Sequence, residues 1–589
     1  MKLISLKLNT DFRSLSKGFN INFVKLEDSV LTKDDFSPYV LAGRNGSGKS
    51  NVLEVLAAIF YHLDCQYIEL PKSFKYDPDT NINGFRGEKA SPNAFELEYL
   101  IQTPKKLAIE KSSDKDKNND SKVPNISHIR VIKTQSEDIG AQLYWLNHSS
   151  YGSEKSLTRT LAAQLLPEAI IGYSSGENEV LSLPFFKMRY IQYDEYLQSL
   201  KQDDAYDESP LSKLIYLDNE YSQAILLSNL LLQDKLLLKP FAKEVGISGI
   251  QQFRIILKRN IGINEQAAED FNPKFLTKEG EGFFFDSHDY KLNILAKFQS
   301  TIDKLTRCAS TYFIDKELDL IYLDYFVNNE TSKAFKNNFS SPIDLFEKLN
   351  LLLNLNLYST SENLKSDLYQ SNSLYVSETV PVLASDQRVM RFKDLKLKTE
   401  RGSGTVYLKN LSDGEHQFLH SLGICMLYRD KNCLFLFDEP DTHFNPSWRA
   451  QFISSVKDCF SFKEQAEDNK SQNTTLSQRD MLITTHSPFL ISDSKQDKVL
   501  VFNKQENGSL SVKNPEYKTL GASIDQITML TLQKGETIGG VAKAMMDSFK
   551  KRFDDGEDKE RLLDEINRDL GDSLEKLFLI RTIQGRAES

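Results

Sequence analysis

Cysteine is scarce in this sequence, and no two cysteines stand in a C-x-x-C spacing. Only five cysteines occur in 589 residues, and they are widely scattered. A disulfide framework needs closely spaced cysteines, and a structural zinc site needs its ligands at short intervals. The scarcity argues against both, and it indicates a reducing compartment, so we expect the protein in the cytoplasm.

Long apolar runs are also missing. A membrane-spanning helix needs about 20 mostly apolar residues, and no stretch of the chain approaches that length. The first residues, MKLISLKLNT, alternate between apolar and polar side chains, which is unlike the unbroken apolar segment of a signal peptide. We therefore expect no membrane partner.

The chain has no surplus of positive charge. Its 73 Lys and Arg against 83 Asp and Glu give a formal net charge of −10. This balance argues against a surface that is basic everywhere, although a local basic groove for nucleic acid depends on how charge is distributed. Lys235, Lys239 and Lys243 recur every four residues and could form such a stripe. A solvated helix face is the more ordinary interpretation, so direct contact with DNA stays open.

The sequence does contain a phosphate-binding loop, in the segment VLAGRNGSGKSNVLEVLAAI. A short apolar run enters a G-x-x-x-x-G-K-[ST] motif, and apolar residues at helical spacing leave it, which is the strand–loop–helix context that the motif requires. In such a loop, backbone N–H groups surround phosphate oxygens, the lysine reaches the β- and γ-phosphates, and the serine hydroxyl ligates Mg²⁺. ATP and Mg²⁺ are therefore the expected cofactors. The predicted ATP-binding residues are Gly43, Arg44, Asn45, Gly46, Ser47, Gly48, Lys49, Ser50 and Asn51.

A second group of chemical residues begins with NCLFLFDEP, at Asn432–Pro440. This mostly apolar segment predicts a strand that ends in two acids, Asp438 and Glu439. Open α/β sheets hold their ligands at the carboxyl ends of their strands. We therefore predict that Asp438 contacts Mg²⁺ and binds with the nucleotide, and that Glu439 polarises the attacking water. A strand that ends in an ordinary solvated turn is the alternative interpretation.

Two shorter motifs flank this strand. Upstream, LSDGE at Leu411–Glu415 precedes a helical pattern, with Ser412 as the predicted N-cap and free N–H groups available to a phosphate. Downstream, MLITTHSPFLI predicts a strand that ends at His486, whose imidazole could contact the γ-phosphate. A histidine after a strand is more often a structural hydrogen-bonding residue, so a catalytic role for His486 depends on its neighbours.

The order of these motifs carries a family resemblance. A phosphate loop followed by LSDGE, FDEP and TTHSP is the motif order of the ATP-binding-cassette (ABC) superfamily. The chain resembles the RecF, Rad50 and SMC branch, whose heads begin with a phrase like FRSL at Phe12–Leu15. The resemblance implies a homodimer or higher oligomer that hydrolyses ATP slowly. ATP would lie between two heads, with Lys49 and Glu439 of one head facing Ser412 and Gly414 of the other.

The same resemblance implies roles for further residues. The chain departs from the family pattern at Asp413, where glycine is usual, and at Asn445, where many members have aspartate. The glutamine of the Q-loop is left open between Gln102 and Gln192. The implied site comprises the signature motif acting in trans (Leu411, Ser412, Asp413, Gly414, Glu415), the D-loop (His443, Asn445), the catalytic pair (Glu439, His486) and the Mg²⁺ ligands (Ser50, Asp438).

Several members of this branch fit the chain poorly. A heptad repeat sustained over three heptads and a zinc hook are both absent, which argues against a long-armed tether of the Rad50 or SMC kind. Only about a hundred residues follow His486, whereas a typical domain has about 100–150 residues. We therefore do not expect a Toprim nuclease domain of the kind that the overcoming-lysogenisation-defect nucleases carry.

The phrases AGRNGSGKSN, LSDGEHQF and FDEPDTHFNPSWR look like those of the restriction-associated ATPases of bacterial defence islands. They are most similar to the ATPase subunits of the Septu antiphage systems, which also occur with some retrons. That resemblance implies a partner, a PtuB-like HNH endonuclease that cuts DNA, and a sensing and regulatory role for this chain.

The sequence predicts an α/β fold: an ABC-type, RecF/SMC-like ATPase head with a mostly helical inserted domain and a helical C-terminal tail. Residues 1–195 would form the first ATPase lobe with the phosphate loop, and residues 196–373 the insert. Residues 374–505 would form the second lobe with the other motifs, and residues 506–589 a tail that could dock a partner or pack on its own head. Within the insert, Ser209 as N-cap and Pro210 in the first turn predict a long helix through Leu232.

Two functions fit these observations. The first is an ATP-binding and ATP-hydrolysing regulatory subunit of a bacterial antiphage defence complex, which controls a separate HNH endonuclease. The alternative is a RecF/SMC-like DNA-repair ATPase that binds DNA ends or gaps, which predicts ATP-dependent DNA binding with a steep salt dependence. The motor subunit of a membrane transporter fits the signature motif but not the large insert.

Overall fold

The structure is a computed structural model, and it describes most of the chain in two compact units, Met1–Leu520 and Gly521–Ser589. The described residues are 1–24, 36–67, 70, 74–79, 81–82, 84–104, 107, 124–136, 139–175, 181–210, 212–278, 290–370, 383–400, 404–461, 479–505, 509–532 and 538–585.

Strands and helices alternate through the first unit, and the second unit is helical. The strands are β1 Lys2–Leu8, β2 Asn20–Asn22, β3 Tyr39–Gly43, β4 Phe95–Gln102, β5 Ile126–Lys133, β6 Gln142–Trp145, β7 Ala169–Ser174, β8 Leu214–Leu217, β9 Ile247–Lys258, β10 Asn260–Ile263, β11 Leu276–Lys278, β12 Tyr290–Asn293, β13 Thr311–Asp315, β14 Leu320–Phe326, β15 Met390–Thr399, β16 Thr405–Tyr407, β17 Cys433–Asp438, β18 Arg479–Thr484, β19 Val499–Lys504 and β20 Leu510–Lys513.

The α-helices have the following bounds, and across the described ranges none combines the length and the apolarity needed to cross a bilayer. They are α1 Lys49–Tyr67, α2 Arg159–Gln164, α3 Leu183–Gln202, α4 Asn219–Leu232, α5 Glu265–Ala268, α6 Gln299–Cys308, α7 Asn329–Asn338, α8 Pro342–Asn354, α9 Glu362–Gln370, α10 Asp413–Leu427, α11 Pro446–Ser461, α12 Pro488–Ser492, α13 Ile524–Leu530, α14 Gly540–Asp554, α15 Lys559–Asp569 and α16 Leu574–Gly585.

A seven-stranded sheet in the order β20-β19-β3-β18-β17-β7-β8 forms the centre of the first unit. All neighbouring pairs from β19 to β8 are parallel. Strands β3 and β17 are buried along their whole length, which is typical of parallel strands covered on both faces. The parallel arrangement brings the carboxyl ends of β3, β17 and β18 to one edge, where such sheets hold ligands. The α/β fold class predicted from the sequence is confirmed.

A second, antiparallel sheet in the order β2-β1-β4-β5-β6 shares one hydrophobic core with α1. Strand β5 alternates buried and partly buried residues, so one face of this sheet packs inward. Helix α1 is buried over most of its circumference, including the charged side chain of Glu54. Arg13 pairs with Glu54 at 2.9 Å, and this contact fixes the turn that contains FRSL against α1.

The region predicted as a separate insert contributes directly to the ATPase fold. The predicted helix from Ser209 to Leu232 is wrong, because residues 214–217 form β8 at the edge of the central sheet. Helix α4 begins only afterwards, with Asp218 as its N-cap. Leu214, Tyr216 and Leu217 of β8 are buried, and the pairing of β8 with β7 outweighs the local Ser-Pro helix signal. The predicted domain boundary after residue 195 also falls inside α3.

The rest of that region is built on strands as well as helices. Strands β9, β13 and β14 join β15 and β16 in a five-stranded antiparallel sheet, in the order β13-β14-β9-β15-β16. Strands β10, β12 and β11 form a small sheet of their own. The predicted insert therefore combines its helices with strands of two antiparallel sheets.

The second unit is helical, as predicted for the tail, but residues 510–513 of the predicted tail form β20 at the edge of the central sheet. Helices α14, α15 and α16 share a small core to which Phe549, Leu562, Ile566 and Ile583 contribute. The apolar residues that form this core recur at helical spacing along each helix, which is the pattern that predicted the helices.

Candidate nucleotide-binding site

Close packing explains two glycines of the phosphate loop, Gly43 and Gly48. A Cβ atom on Gly43 would lie 2.6 Å from the carbonyl oxygen of Phe502, and one on Gly48 would lie 2.7 Å from Leu510 Cδ1. Gly46 has φ +72°, and no described atom lies within 4 Å of the place that a Cβ atom would take there, so the crest of the loop is open. The buried hydroxyl of Ser47 finds no hydrogen-bond partner among the described residues. An open crest beside an unsatisfied hydroxyl fits a bound phosphate.

Lys49 lies at the centre of this loop. Its Nζ donates to the carbonyl oxygens of Gly43 at 3.2 Å and Arg44 at 3.1 Å. Nζ is also 3.1 Å from His486 Nε2. Burial lowers the pKa of Lys49, whereas the carboxylates of Glu439 and Asp438 oppose that shift. The ammonium is therefore held within the loop by carbonyl oxygens, in a place where it can exchange them for phosphate oxygens.

Asp438 ends β17 and is fully buried. Its Oδ1 accepts hydrogen bonds from Ser50 Oγ at 2.8 Å and Thr484 Oγ1 at 2.5 Å. Burial raises the pKa of this carboxyl, against the effect of the two hydroxyl donors. A hydroxyl and a carboxylate in contact provide the oxygen ligands that Mg²⁺ prefers, and that cation usually keeps waters and phosphate oxygens as its other ligands. Ser50 and Asp438 therefore fit the expected metal.

Glu439 follows β17 in a strained backbone conformation. Its φ is +49°, a value that non-glycine residues rarely adopt. The N–H of Glu439 donates to Thr484 at both the carbonyl oxygen (3.2 Å) and Oγ1 (3.0 Å), and these bonds hold the turn in place. Glu439 Oε1 lies 3.3 Å from His486 Nε2. The hydrogen bond from His486 is the main reason that the pKa of Glu439 is lowered, so the carboxylate is available as a base.

The signature motif and the D-loop contact each other. Ser412 and Glu415 form a capping box at the start of α10, with Ser412 exposed. A Cβ atom on Gly414 would lie 2.6 Å from the carbonyl oxygen of His443, so only glycine fits there. The N–H of His443 donates to Gln417 at 3.1 Å.

Asn445 has a local structural role. Its side-chain oxygen accepts from the N–H of Trp448 at 2.9 Å, which caps the start of α11. Aspartate can provide the same cap, so the departure from the family pattern is accounted for locally.

The structure brings five of the predicted residues into contact: Lys49, Ser50, Asp438, Glu439 and His486. The two candidate Q-loop glutamines do not join them. Gln102 ends β4 in the other sheet, and Gln192 donates from α3 to the carbonyl oxygen of Ser209 at 3.4 Å.

Sequence reasoning missed several residues that support the site. Strand β7 runs beside β17, and the N–H of Ser175, which follows it, donates to the Asp438 carbonyl oxygen at 3.1 Å. The hydroxyls of Ser175 and Thr442 are 2.8 Å apart. Thr484 anchors both acids, and its position two residues before His486 was the available signal. Ser14 donates to Asn51 Oδ1 at 2.6 Å, which ties the FRSL turn to α1.

Comparison with known proteins finds a family match that includes β17, β18 and His486 but not the phosphate loop. Residues 259–492 match the family described as "AAA domain, putative AbiEii toxin, Type IV TA system". The chain is 22% identical over 280 residues to the Septu protein PtuA of Bacillus thuringiensis, which covers 44% of this chain and 64% of that protein. The chain is therefore similar to PtuA, and the match spans less than two thirds of that protein's length. Among solved structures, the comparison also matches the SMC head domain from Thermotoga maritima, at 10% identity and TM-score 0.30 over 88% of this chain and 100% of that one.

Proposed function

We propose that this chain is the ATP-dependent regulatory subunit of a bacterial antiphage defence complex, in which paired heads control a separate HNH endonuclease. The observation that carries the proposal is the convergence of Lys49, Ser50, Asp438, Glu439 and His486 at one edge of a parallel sheet. The relationship to PtuA, a protein named for the Septu system, supports the defence context.

The contacts divide the chemistry among these residues. The loop N–H groups and Lys49 would bind the phosphates, while Ser50 and Asp438 would hold Mg²⁺, which neutralises charge on the phosphate oxygens. Glu439 would orient and deprotonate the attacking water, because its lowered pKa keeps it ionised. His486 contacts both Lys49 and Glu439. Its imidazole would therefore fix the positions of the ammonium and the carboxylate relative to each other.

The exposed signature motif supports a site that is shared between two copies. Ser412 and Asp413 lie at the N-terminus of α10, where the helix dipole favours an anion. Asp413 gains stability there from the helix dipole, but its charge would repel a triphosphate. We therefore propose slow ATP hydrolysis and ATP-dependent closure of two heads that is weaker than a glycine at this position would allow.

The partner assignment extends the relationship to PtuA. We propose a PtuB-like HNH protein as the nuclease, which would bring DNA to the complex, and the cytoplasm as its location. The ATPase would change the activity of that nuclease when its heads open or close on ATP. The helical tail, residues 521–589, is the proposed docking unit, because it forms a compact body of its own.

Reconstitution with the adjacent HNH protein tests this function. Plasmid cleavage is measured for the chain alone, for the HNH protein alone and for the mixture, each with Mg²⁺ and with or without ATP. We expect cleavage only when the HNH protein is present, and we expect ATP to change its rate. Lys49→Ala should abolish the effect of ATP on the cleavage rate. Glu439→Gln should bind ATP without hydrolysing it, so the cleavage rate should stay at the value of the ATP-bound state.

Matched substitutions of exposed residues serve as controls, namely Lys513→Ala and Glu516→Gln. Both should leave the response to ATP unchanged. Plasmid degradation by the purified chain alone would contradict the proposal, as would nuclease activity that is indifferent to Lys49→Ala.

A further inference from the structure

Strand β13 forms an edge of the five-stranded sheet and is unusually exposed. Tyr312 is 58% exposed, Phe313 61% and Ile314 40%. These three apolar residues are consecutive, so both faces of the strand present apolar side chains to solvent. Nothing in the nucleotide site involves them.

Asp315 is the one charged residue of β13, and the edge otherwise lacks the devices that usually prevent pairing with another strand. Natural edge strands are protected by lysine, proline, bulges or very short length. β13 has the sequence TYFID, with no lysine or proline, and it pairs with β14 over five residues without a shift of register. Its aromatic and β-branched residues instead favour strand pairing. An unprotected apolar edge of this kind indicates a partner strand.

The two faces of β13 continue layers that begin on β14. Tyr312 and Ile314 lie opposite Leu323 and Ile321, which are buried. The apolar layer on this face of the sheet therefore continues from buried residues of β14 to exposed residues of β13. On the other face, Phe313 stacks on the partly buried ring of Tyr322, with centroids 6.2 Å apart. One further strand alongside β13 would cover both layers.

We infer that this further strand is β13 of a second copy of the chain, paired antiparallel about a two-fold axis at Phe313. In that register Tyr312 of one copy faces Ile314 of the other, and the two Phe313 rings meet between the two Tyr322 rings. Thr311 faces Asp315 of the second copy, so a hydroxyl donor meets a carboxylate. The short sequence is thus complementary to itself, which an isologous interface requires.

The exposed apolar surface is large enough for such an interface. Leu318 (61% exposed) and Phe326 (55% exposed) flank β13 and would also be covered. With five side chains that each expose roughly 100 Å², the two copies together would bury about 1,000 Å², the lower limit for a specific interface. Backbone hydrogen bonds between the two edge strands would further stabilise the interface.

The interface would be independent of the nucleotide site. If the heads also pair on ATP, which rests on the proposed function, each chain has two different two-fold contacts. Two such contacts on one chain build assemblies larger than a dimer. ATP would then convert β13-linked dimers into tetramers or larger particles.

Sedimentation of the nucleotide-free full chain tests the inference. The wild type is expected to sediment as a dimer of the 67.4 kDa chain, and Phe313→Lys to sediment as a monomer, because an edge lysine prevents strand pairing. Leu236→Lys is the matched control, because Leu236 is 51% exposed and lies outside β13. It should leave the dimer intact. A wild-type monomer at every concentration, or a Phe313→Lys dimer, would overturn the inference.

A symmetric cross-link tests the register. The five native cysteines are all buried, so the Phe313→Cys variant offers one accessible thiol. Facing residues of antiparallel strands have Cα atoms about 4.5–5.5 Å apart, within the range that a disulfide spans. Mild oxidation should yield a covalent dimer for Phe313→Cys but not for Leu236→Cys. Absence of the cross-link from the Phe313→Cys variant would overturn the proposed register.

Two further variants separate this inference from the proposed function. Lys49→Ala should lose ATP binding and keep the β13 dimer, whereas Phe313→Lys should bind ATP normally and lose the dimer. A different result would be a monomeric wild-type chain together with loss of HNH-protein binding in Phe313→Lys. In that case the strand that pairs with β13 belongs to the HNH protein, and the inference fails.

Discussion

Neighbouring acids at the nucleotide site have opposite electrostatics. Asp438 is fully buried and its pKa is raised by burial, whereas Glu439 is partly exposed and its pKa is lowered by the hydrogen bond from His486. A buried carboxylate with hydroxyl neighbours favours a cation, and an ionised, accessible one favours proton abstraction. Burial therefore gives two adjacent residues of the FDEP sequence different chemical roles.

Replacing Asp438 should separate stability from metal binding. In Asp438→Asn the amide oxygen can still accept from Ser50 and Thr484, and the desolvation cost of a buried charge is removed. We expect the nucleotide-free protein to gain about 1–2 kcal/mol in stability and to lose the contribution of Mg²⁺ to ATP binding. Thermal melting without nucleotide measures the first effect, and melting with ATP in Mg²⁺ or in EDTA measures the second.

Asp441→Asn is the matched control for that experiment. Asp441 is also buried, its pKa is also raised by burial, and it accepts from Thr485 at 3.0 Å rather than from Ser50. Its replacement should leave the effect of Mg²⁺ intact. An equal effect of Mg²⁺ on wild type and Asp438→Asn would contradict the metal assignment.

A buried histidine on the signature helix should make stability depend on pH. Burial lowers the pKa of His420 from 6.5 to about 3. The folded state therefore binds fewer protons than the unfolded state below pH 6.5, and the contribution of His420 to stability is lost as pH falls from 6.5 toward 3. At about 1.36 kcal/mol per pH unit, the loss between pH 7 and pH 5 is about 2 kcal/mol.

His420→Leu should remove this dependence. Relative to wild type, the variant should gain about 2 kcal/mol between pH 7 and pH 5 in urea unfolding, and the comparison cancels the contributions of other groups. Phe418→Leu is the control, because it alters the same buried helix without a titrating group. A difference between His420→Leu and wild type that does not change with pH would show that the pKa of His420 is the same in the folded and unfolded states.

Among the elements, those with local signals were predicted well. The phosphate loop follows β3 and opens α1 because its glycines, lysine and serine lie in one short segment. β8 was missed because a run of four apolar residues is equally compatible with a strand or with a helix. The contact of Gly414 with His443 could not be predicted, since it joins elements whose packing no short motif encodes.

The packing of α4 on α10 links the insert region to the signature motif. A Cβ atom on Gly423 of α10 would lie 2.8 Å from Ile225 Cγ2 on α4. Asn229 Nδ2 donates to the carbonyl oxygens of both Ile225 and Gly423 at 2.9 Å. The two helices therefore approach closely at this point, and their separation sets the position of α10.

Gly423→Leu should force these helices apart. Overpacking of this kind costs about 1–3 kcal/mol in stability, and displacement of α10 should weaken ATP-dependent pairing of heads while each head still binds ATP. Urea unfolding, nucleotide binding and sedimentation measure the three quantities. Gly249→Leu is the control, because only Lys398 lies near that position, at 3.9 Å among the described residues. Unchanged pairing in Gly423→Leu, despite lost stability, would mean that α10 is positioned by other contacts.

At the scale of the whole molecule, the proposed active site belongs to two chains at once. Lys49 and Glu439 lie in one cluster through His486, so one subunit supplies both to the same nucleotide. Ser412 is the N-cap at the start of α10 and would serve the nucleotide of the other subunit. This division predicts which pairs of inactive variants can restore activity to each other.

Mixing Lys49→Ala with Ser412→Arg should restore ATP hydrolysis, although each variant alone is inactive. In the mixed dimer one site carries both defects, and the other combines an intact Lys49 with an intact Ser412. Random pairing with one working site per mixed dimer gives about a quarter of the wild-type rate. Mixing Lys49→Ala with Glu439→Gln should not restore ATP hydrolysis, because each of the two sites then contains one of the two substitutions. Equal recovery from both mixtures, or from neither, would contradict a nucleotide held between two heads.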